Sequence, residues 1–388
     1  MINFNYYNPA KIVFGLGSEK EIKNLLKEYK VKNLLMIYSG EFVKTLGIFD
    51  TVKSACQELE IKFLECGDVV PNPKIELVRN LTELGKKEEV DFILAVGGGS
   101  SIDTAKAISL GIPYDGDVWD FFTSQVKINK VVPVGVISTI PASGSETSNA
   151  TIISNGLEKL GFEDNAIIPK FAIMNPEFTL NLPAYQTSCG IADILSHLLE
   201  RYFSSNTKTD TTDYLIEGSI KALILNADRL MVNPKNLDAR AEVQWLASIA
   251  HNNLLDTGRV SDWASHRIEH EISAQYGVTH GEGMAVILLA YCEYMASAKP
   301  ERIAQLANRI YNVDYYNYSL QEMSLKLKDH LESFFISLNL KTKLSQMDID
   351  DTHFKEMANR ATNNDTNTIG HYLELTNKEI IEILYKAI

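Results

Sequence analysis

Short apolar runs alternate with amphipathic stretches along the first half of the chain, and the alternation stops near Pro183. Ile12 to Phe14 form a brief apolar run that meets Gly15 and Gly17, and a polar, helix-like stretch follows from Glu19 to Tyr29. LLMIY at 34–38 is apolar throughout, as in a parallel strand covered on both faces, and Ser39 and Gly40 end it. Asp50 to Glu60 is amphipathic, IKFLE reads as a strand, and a helix is expected from Ile75 to Lys87 after Pro71 and Pro73. FILAV at 92–96 and VVPVGVIST at 131–139 read as two further buried strands. This alternation predicts an α/β layer with a parallel sheet and crossover helices.

Two prolines and two asparagines between Met174 and Pro183 break the pattern, and the remainder of the chain is helical: 185–203, 210–231, 236–255, 262–276, 281–298, 300–311 and shorter segments to the end. A chain of 388 residues is long for one core. The reading is therefore an α/β Rossmann-like, dinucleotide-binding domain over 1–183 and an all-helical metal and substrate domain over 184–388.

Composition narrows the partners. Apolar residues make up 45% and charged residues 22%, values of a globular protein. A net charge of −13 argues against nucleic acid and anionic membrane surfaces, which call for clustered Lys and Arg. The four Cys show no CxxC spacing, as expected in a reducing compartment. There is no basic start followed by an apolar run, and no uninterrupted apolar stretch of membrane-spanning length, so a cytoplasmic protein with a small-molecule partner is expected.

Two loops carry candidate binding chemistry. FILAV opens into GGGSSIDTAK, where glycines let backbone approach a ligand and a helix beginning near Ser101 presents N–H groups to a phosphate. PASGSETS follows the next strand, and loops at the carboxyl ends of strands in such sheets face a common crevice.

The other chemistry lies between Gly190 and His280. Asp193 and His197 are four apart in an apolar segment, so a helix stacks them on one face. His266 and His270 repeat the spacing in a second helix, expected to start at an N-cap near Ser261 or Asp262 and to stop at Gly277, with His280 in the loop beyond. One carboxylate with several imidazoles and no thiolate suits a catalytic Fe(II), Zn(II), Co(II) or Mn(II) ion. Trp245, Trp263 and Tyr276 are candidates to line a substrate pocket but, as aromatics in helices, are assigned to the core, and His251 to a structural or surface role.

GGGSSIDTAK at 97–106, PASGSETS at 141–148, GIADILSH at 190–197 and SHRIEHEISAQYGVTHGEGMA at 265–285, in this domain order, resemble the iron-containing (group III) alcohol dehydrogenases, and within them the NADPH-dependent butanol dehydrogenases. The resemblance implies a Rossmann-like domain and a helical domain with cofactor and metal facing each other across the cleft. It implies one Fe2+ or Zn2+ on Asp193, His197, His266 and His280, and His270 as the nearby non-ligand histidine associated with the substrate or with proton transfer. It also implies cofactor contacts from Gly98, Gly99, Ser100, Asp103, Thr139, Ser143 and Lys159, and a homodimer.

Ser39 and Gly40, at the end of the first long strand, leave room for a 2′-phosphate where an acid would select NAD, and Lys44 is within reach. NADP(H) is the expected cofactor; Glu41 works against it and keeps NAD(H) open. The expected reaction is hydride transfer between the nicotinamide and a small aliphatic aldehyde or alcohol such as butyraldehyde or butanol. A polyol dehydrogenase, a cyclase resembling dehydroquinate synthase and a non-catalytic metal or nucleotide sensor are the alternatives.

Overall fold

The structure, a computed structural model, describes residues 1–123 and 126–388. Among the described residues eight strands occur: β1 (Lys11–Phe14), β2 (Asn33–Tyr38), β3 (Lys62–Cys66), β4 (Phe92–Gly97), β5 (Val134–Ser138), β6 (Ala150–Asn155), β7 (Glu158–Glu163) and β8 (Phe171–Met174). Six of them form one parallel sheet in the order β1-β8-β5-β4-β2-β3, while β6 and β7 pair as an antiparallel hairpin. The hairpin lies past PASGSETS, where the periodicity gave no strand.

The apolar runs become the inner strands because both faces of the sheet are covered. Leu35, Ile37, Ile93 and Val136 pack with Ile75, Val78, Ile102 and Ile108 of helices Ile75–Lys87 and Gly99–Gly111. Leu34, Met36, Phe92 and Ile173 face the other way, onto Ile22, Leu25, Val52 and Cys56 of helices Ile22–Glu28 and Ile48–Glu58. Neighbouring residues of one strand thus serve opposite cores. The edge strands β1 and β3 are only partly buried, whereas β4, β5 and β8 are buried throughout.

Strand order places the crevice. From β2 the chain moves outward to β3, and from β4 it moves the opposite way to β5, so the connections diverge at the β2–β4 boundary. In open parallel sheets a ligand binds at that switch point, beyond the carboxyl ends of the strands. Ser39 and Gly97 stand there.

The chain forms two compact units that are not continuous in sequence. One comprises Tyr7–Leu182 and Lys235–Asn252; the other comprises Met1–Tyr6, Pro183–Pro234 and Asn253–Ile388. Helix Leu237–Ala250, placed by its periodicity in the helical half, thus returns to the α/β unit. Gln244 Nε2 donates to Ser138 O at 3.3 Å, and Trp245 meets Phe14 edge to face at 6.3 Å. Periodicity reports a helix; it carries no information about the layer on which that helix packs.

The helical unit is centred on His280–Ala298, which packs against helices Ala184–Tyr202 and Leu320–Ser337 and is buried from Gly281 to Cys292. Among the described residues no helix is long and apolar enough to cross a membrane.

Candidate metal centre and dinucleotide loop

In the helical unit, Asp193 and His197 point from one face of helix Ala184–Tyr202, each at most 4% exposed. His266 and His270 sit on helix Ala264–Tyr276, and His280 is the first residue of helix His280–Ala298 rather than part of a loop. Ligand atoms of Asp193, His266 and His280 all lie within 4.8 Å of one another. His280 Nε2 is 3.5 Å and His197 Nε2 is 3.7 Å from Asp193 Oδ1, and the His197 ring stacks on His266 at 4.8 Å. Donors held about 2.1 Å from an ion at tetrahedral angles lie roughly 3.4 Å apart, so these separations fit one metal ion. His266 Nε2 is buried with no hydrogen-bond partner, a state that a coordinated ion relieves.

Two carboxylates fix these rings. Glu200, fully buried one turn beyond His197, accepts from His266 Nδ1 at 3.1 Å and His266 N at 3.0 Å, from Trp263 N at 2.7 Å and from the Ser265 hydroxyl. Glu269, also fully buried, accepts from His280 Nδ1. A carboxylate only accepts, so each bond puts the proton on Nδ1 and leaves the Nε2 lone pair for a metal.

Glu200 also explains why the expected N-cap is absent. The helix starts at Ala264 behind Trp263, which has φ +66° and makes no side-chain cap; the orphan N–H groups of Trp263 and His266 bond to Glu200 from the preceding helix. Asp262 instead accepts from the Tyr291 hydroxyl and from His371 N and Tyr372 N, and burial, with the Glu200 charge adding to it, pushes its carboxyl up to about 7. Trp263, assigned to the core from sequence, lies against His266 with ring centres 5.1 Å apart. Gly281 lets two helices cross closely: a Cβ there would stand 2.0 Å from Cys189 O.

In the α/β unit the loops after β2, β4 and β5 converge. A Cβ on Gly97 would lie 2.6 Å from Ser101 Oγ and 3.8 Å from Ser39 Oγ, and one on Gly99 would lie 2.6 Å from Ser143 Oγ. Glycine is thus what lets the loops approach. Helix Gly99–Gly111 starts behind Gly98 with no side-chain cap. Thr139 N donates to Gly97 O at 3.0 Å, while the hydroxyls of Ser101, Ser138 and Thr139 are buried without a partner. An uncapped helix start beside orphaned hydroxyls fits the phosphates of a dinucleotide.

Asp103 is turned inward. Its carboxylate accepts from Ser145 Oγ at 2.6 Å and Ile152 N at 3.1 Å; burial pushes its carboxyl up, and the Lys106 charge opposes that. Lys106, which sequence reading passed over, donates to Ser145 Oγ at 2.9 Å, Ser148 O at 2.9 Å and Ala150 O at 2.8 Å, and burial brings its amine down to about 8. This pair joins the Gly99–Gly111 helix to the PASGSETS loop. Lys159, on β7, is buried with its charge close enough to act on Asp103, and Ser143 O contacts His251 Nδ1 at 2.7 Å.

Residues 9–176 match the iron-containing alcohol dehydrogenase family model, and residues 187–388 match the C-terminal model of the Fe-containing alcohol dehydrogenase family. The chain belongs to the iron-containing alcohol dehydrogenase family. Among its relatives, a probable NADH-dependent butanol dehydrogenase of Bacillus subtilis is 34% identical over 99% of both chains. The NADPH-dependent aldehyde reductase YqhD of Escherichia coli K12 is 30% identical over the full length of both. The crystal structure of NADH-dependent butanol dehydrogenase A from Thermotoga maritima matches with a TM-score of 0.94 at 31% identity, covering 99% of this chain and 98% of that one.

For this iron-containing alcohol dehydrogenase family member, the residues of the candidate metal centre that sequence reading missed are Glu200 and Glu269. Each stands three residues from a candidate ligand, at His197 and His266, and that spacing in a buried helix was the available signal.

Proposed function

We propose that the protein is a metal-dependent alcohol dehydrogenase and aldehyde reductase that transfers hydride between NADP(H) and a small aliphatic alcohol or aldehyde of the butanol and butyraldehyde class. The observation that carries this reading is the meeting of Asp193, His266 and His280 donors within 4.8 Å. The donor set, with His197 as fourth member, suits Fe(II) or Zn(II). When bound, the metal supplies Lewis acidity at the carbonyl oxygen and the nicotinamide supplies the hydride.

The chain's own residues do the rest. Asp193 contributes the anionic donor, and Glu200 and Glu269 keep the Nε2 atoms of His266 and His280 aimed and unprotonated. His270, one helical turn from His266 and 8% exposed, is the group proposed to pass a proton to the product oxygen. Gly98, Gly99 and Ser100 hold the pyrophosphate on backbone N–H groups, with Thr139 and Ser143 beside it and Lys159 near the ribose. Asp103 positions this loop rather than touching the cofactor.

The 2′ end of the cofactor divides two readings. Ser39 brings no charge to the end of β2, which favours NADP(H). Lys44, the candidate partner for a 2′-phosphate, is 3.1 Å from Glu41, and this ion pair supports NAD(H) as the second reading. Membership of the family supports a homodimer, which light scattering would check.

Metal-stripped protein reconstituted separately with Fe(II), Zn(II), Co(II) and Mn(II) and assayed with butyraldehyde at 340 nm tests the proposal. Metal-dependent oxidation of NADPH or NADH is expected. Tight metal and nucleotide binding with no turnover would instead identify a sensor, and absence of net nicotinamide consumption with any simple aldehyde would point to a cyclase. Replacing His270 with Phe should change the pH profile of turnover; an unaltered profile and rate would remove the proton role.

A further inference from the structure

We infer that Gly283 is a positioning residue of the metal centre, acting through Glu269 on His280; the inference rests on the reading of His280 as a metal ligand. Glu269 is fully buried and accepts from His280 Nδ1. The space it occupies exists because residue 283 lacks a side chain. A Cβ there would stand 2.6 Å from Glu269 Oε1, 2.9 Å from its Cγ and 3.2 Å from its Cδ.

Neither of glycine's usual reasons applies. Gly283 lies inside helix His280–Ala298 and is not among the positive-φ positions, and glycine costs a helix interior about 1 kcal/mol relative to alanine. It is three residues from His280, hence on the same side of the helix. The two glycines of HGEG therefore serve different contacts: Gly281 admits the backbone of Cys189, and Gly283 seats the carboxylate that orients the imidazole. With that carboxylate displaced, His280 Nδ1 loses its acceptor. The tautomer and ring plane that hold Nε2 3.5 Å from Asp193 Oδ1 are then fixed less firmly.

The test is metal binding by the full-length, metal-stripped protein, read as Zn(II) competition with a chelating dye and as the visible spectrum of bound Co(II). Gly283→Ala and Glu269→Ala should each weaken Zn(II) binding by roughly 10- to 100-fold. The double variant should be no weaker than the worse single one, because the glycine acts only through the carboxylate. Wild-type affinity in Gly283→Ala, or losses that multiply in the double variant, overturns the inference. If Gly283→Ala does not fold, Glu269→Gln takes its place: it keeps an acceptor oxygen and should bind more tightly than Glu269→Ala, and equality of both with wild type overturns the inference. His280→Ala separates the two levels. Full Zn(II) stoichiometry in that variant defeats the ligand reading, whereas its loss beside a normal Gly283→Ala defeats only the role of Gly283.

Discussion

The two chemical regions are built on opposite plans. In the helical unit the candidate donors are side chains, and buried carboxylates stand behind them: Glu200 behind His266, Glu269 behind His280. In the α/β unit the candidate binding surface is mostly backbone, brought together by glycines, and the buried charged side chains near it, Asp103 and Lys106, both bond to Ser145 Oγ. Side-chain chemistry is therefore vulnerable to single substitutions in the first region, while in the second such substitutions act through stability.

The largest effect that could break this contrast is at the donors. Asp193→Ala or His280→Ala should abolish stoichiometric metal and lower turnover at least about a thousandfold, the cost of losing several kcal/mol of Lewis-acid stabilisation. Metal analysis beside steady-state kinetics checks it. Either variant retaining full metal refutes its assignment as a ligand.

Asp103→Ala sharpens the other side. Removing this carboxylate takes away the larger of the two buried negative charges, Asp103 and Glu146, that act on the Lys106 ammonium, which costs up to about 3–5 kcal/mol. Urea unfolding of the metal- and cofactor-free protein should show that loss. If stability holds and only nucleotide affinity falls, Asp103 is a cofactor contact after all.

The same contrast explains how much was legible in the sequence. Residues able to bind a metal belong to few types, so the candidate donors Asp193, His197, His266 and His280 stand out by identity and spacing, and the alternation of apolar runs predicted the parallel sheet. Glu200, Glu269 and Lys106 did not stand out, because Glu and Lys in helices are ordinarily solvated; only their burial separates them from surface charge. The inward bonds of Asp103 to Ser145 and Ile152 were not legible, because its position one turn into the loop helix gives no sign of which side of the helix meets the protein. The return of helix Leu237–Ala250 to the α/β unit rests on long-range packing that a local pattern does not encode.

A smaller effect arises from Lys106. Its amine titrates at about 8 in the folded protein against an ordinary lysine value of 10.5, because burial disfavours the charged form. Between these values the unfolded chain holds the proton and the folded one does not, so the lysine's contribution makes stability rise with pH across that window. The rise is worth at most roughly 3 kcal/mol. Lys106→Met removes it: the stability of wild type relative to the variant should increase from pH 8 to pH 10. A difference that stays flat would mean that Lys106 titrates as an exposed lysine does.

The smallest effect concerns the one place in the α/β unit where side-chain identity, rather than backbone, is proposed to decide binding. Ser39 and Gly40 end β2, and Glu41, its side chain 80% exposed, pairs with Lys44 at 3.1 Å. A 2′-phosphate held there has to draw Lys44 from Glu41 and tolerate a second negative charge. An exposed pair is worth up to about 1 kcal/mol, so Glu41→Gln should tighten NADPH binding roughly 3- to 5-fold and leave NADH nearly unchanged. Titrations followed by nicotinamide fluorescence give the ratio directly. An unaltered ratio sinks the 2′-phosphate site at Ser39 and Lys44 and leaves NAD(H) as the cofactor. Exposure also fixes the salt dependence: a gain that is electrostatic shrinks as ionic strength rises, while one that persists in high salt comes from the shape of the side chain and not from its charge.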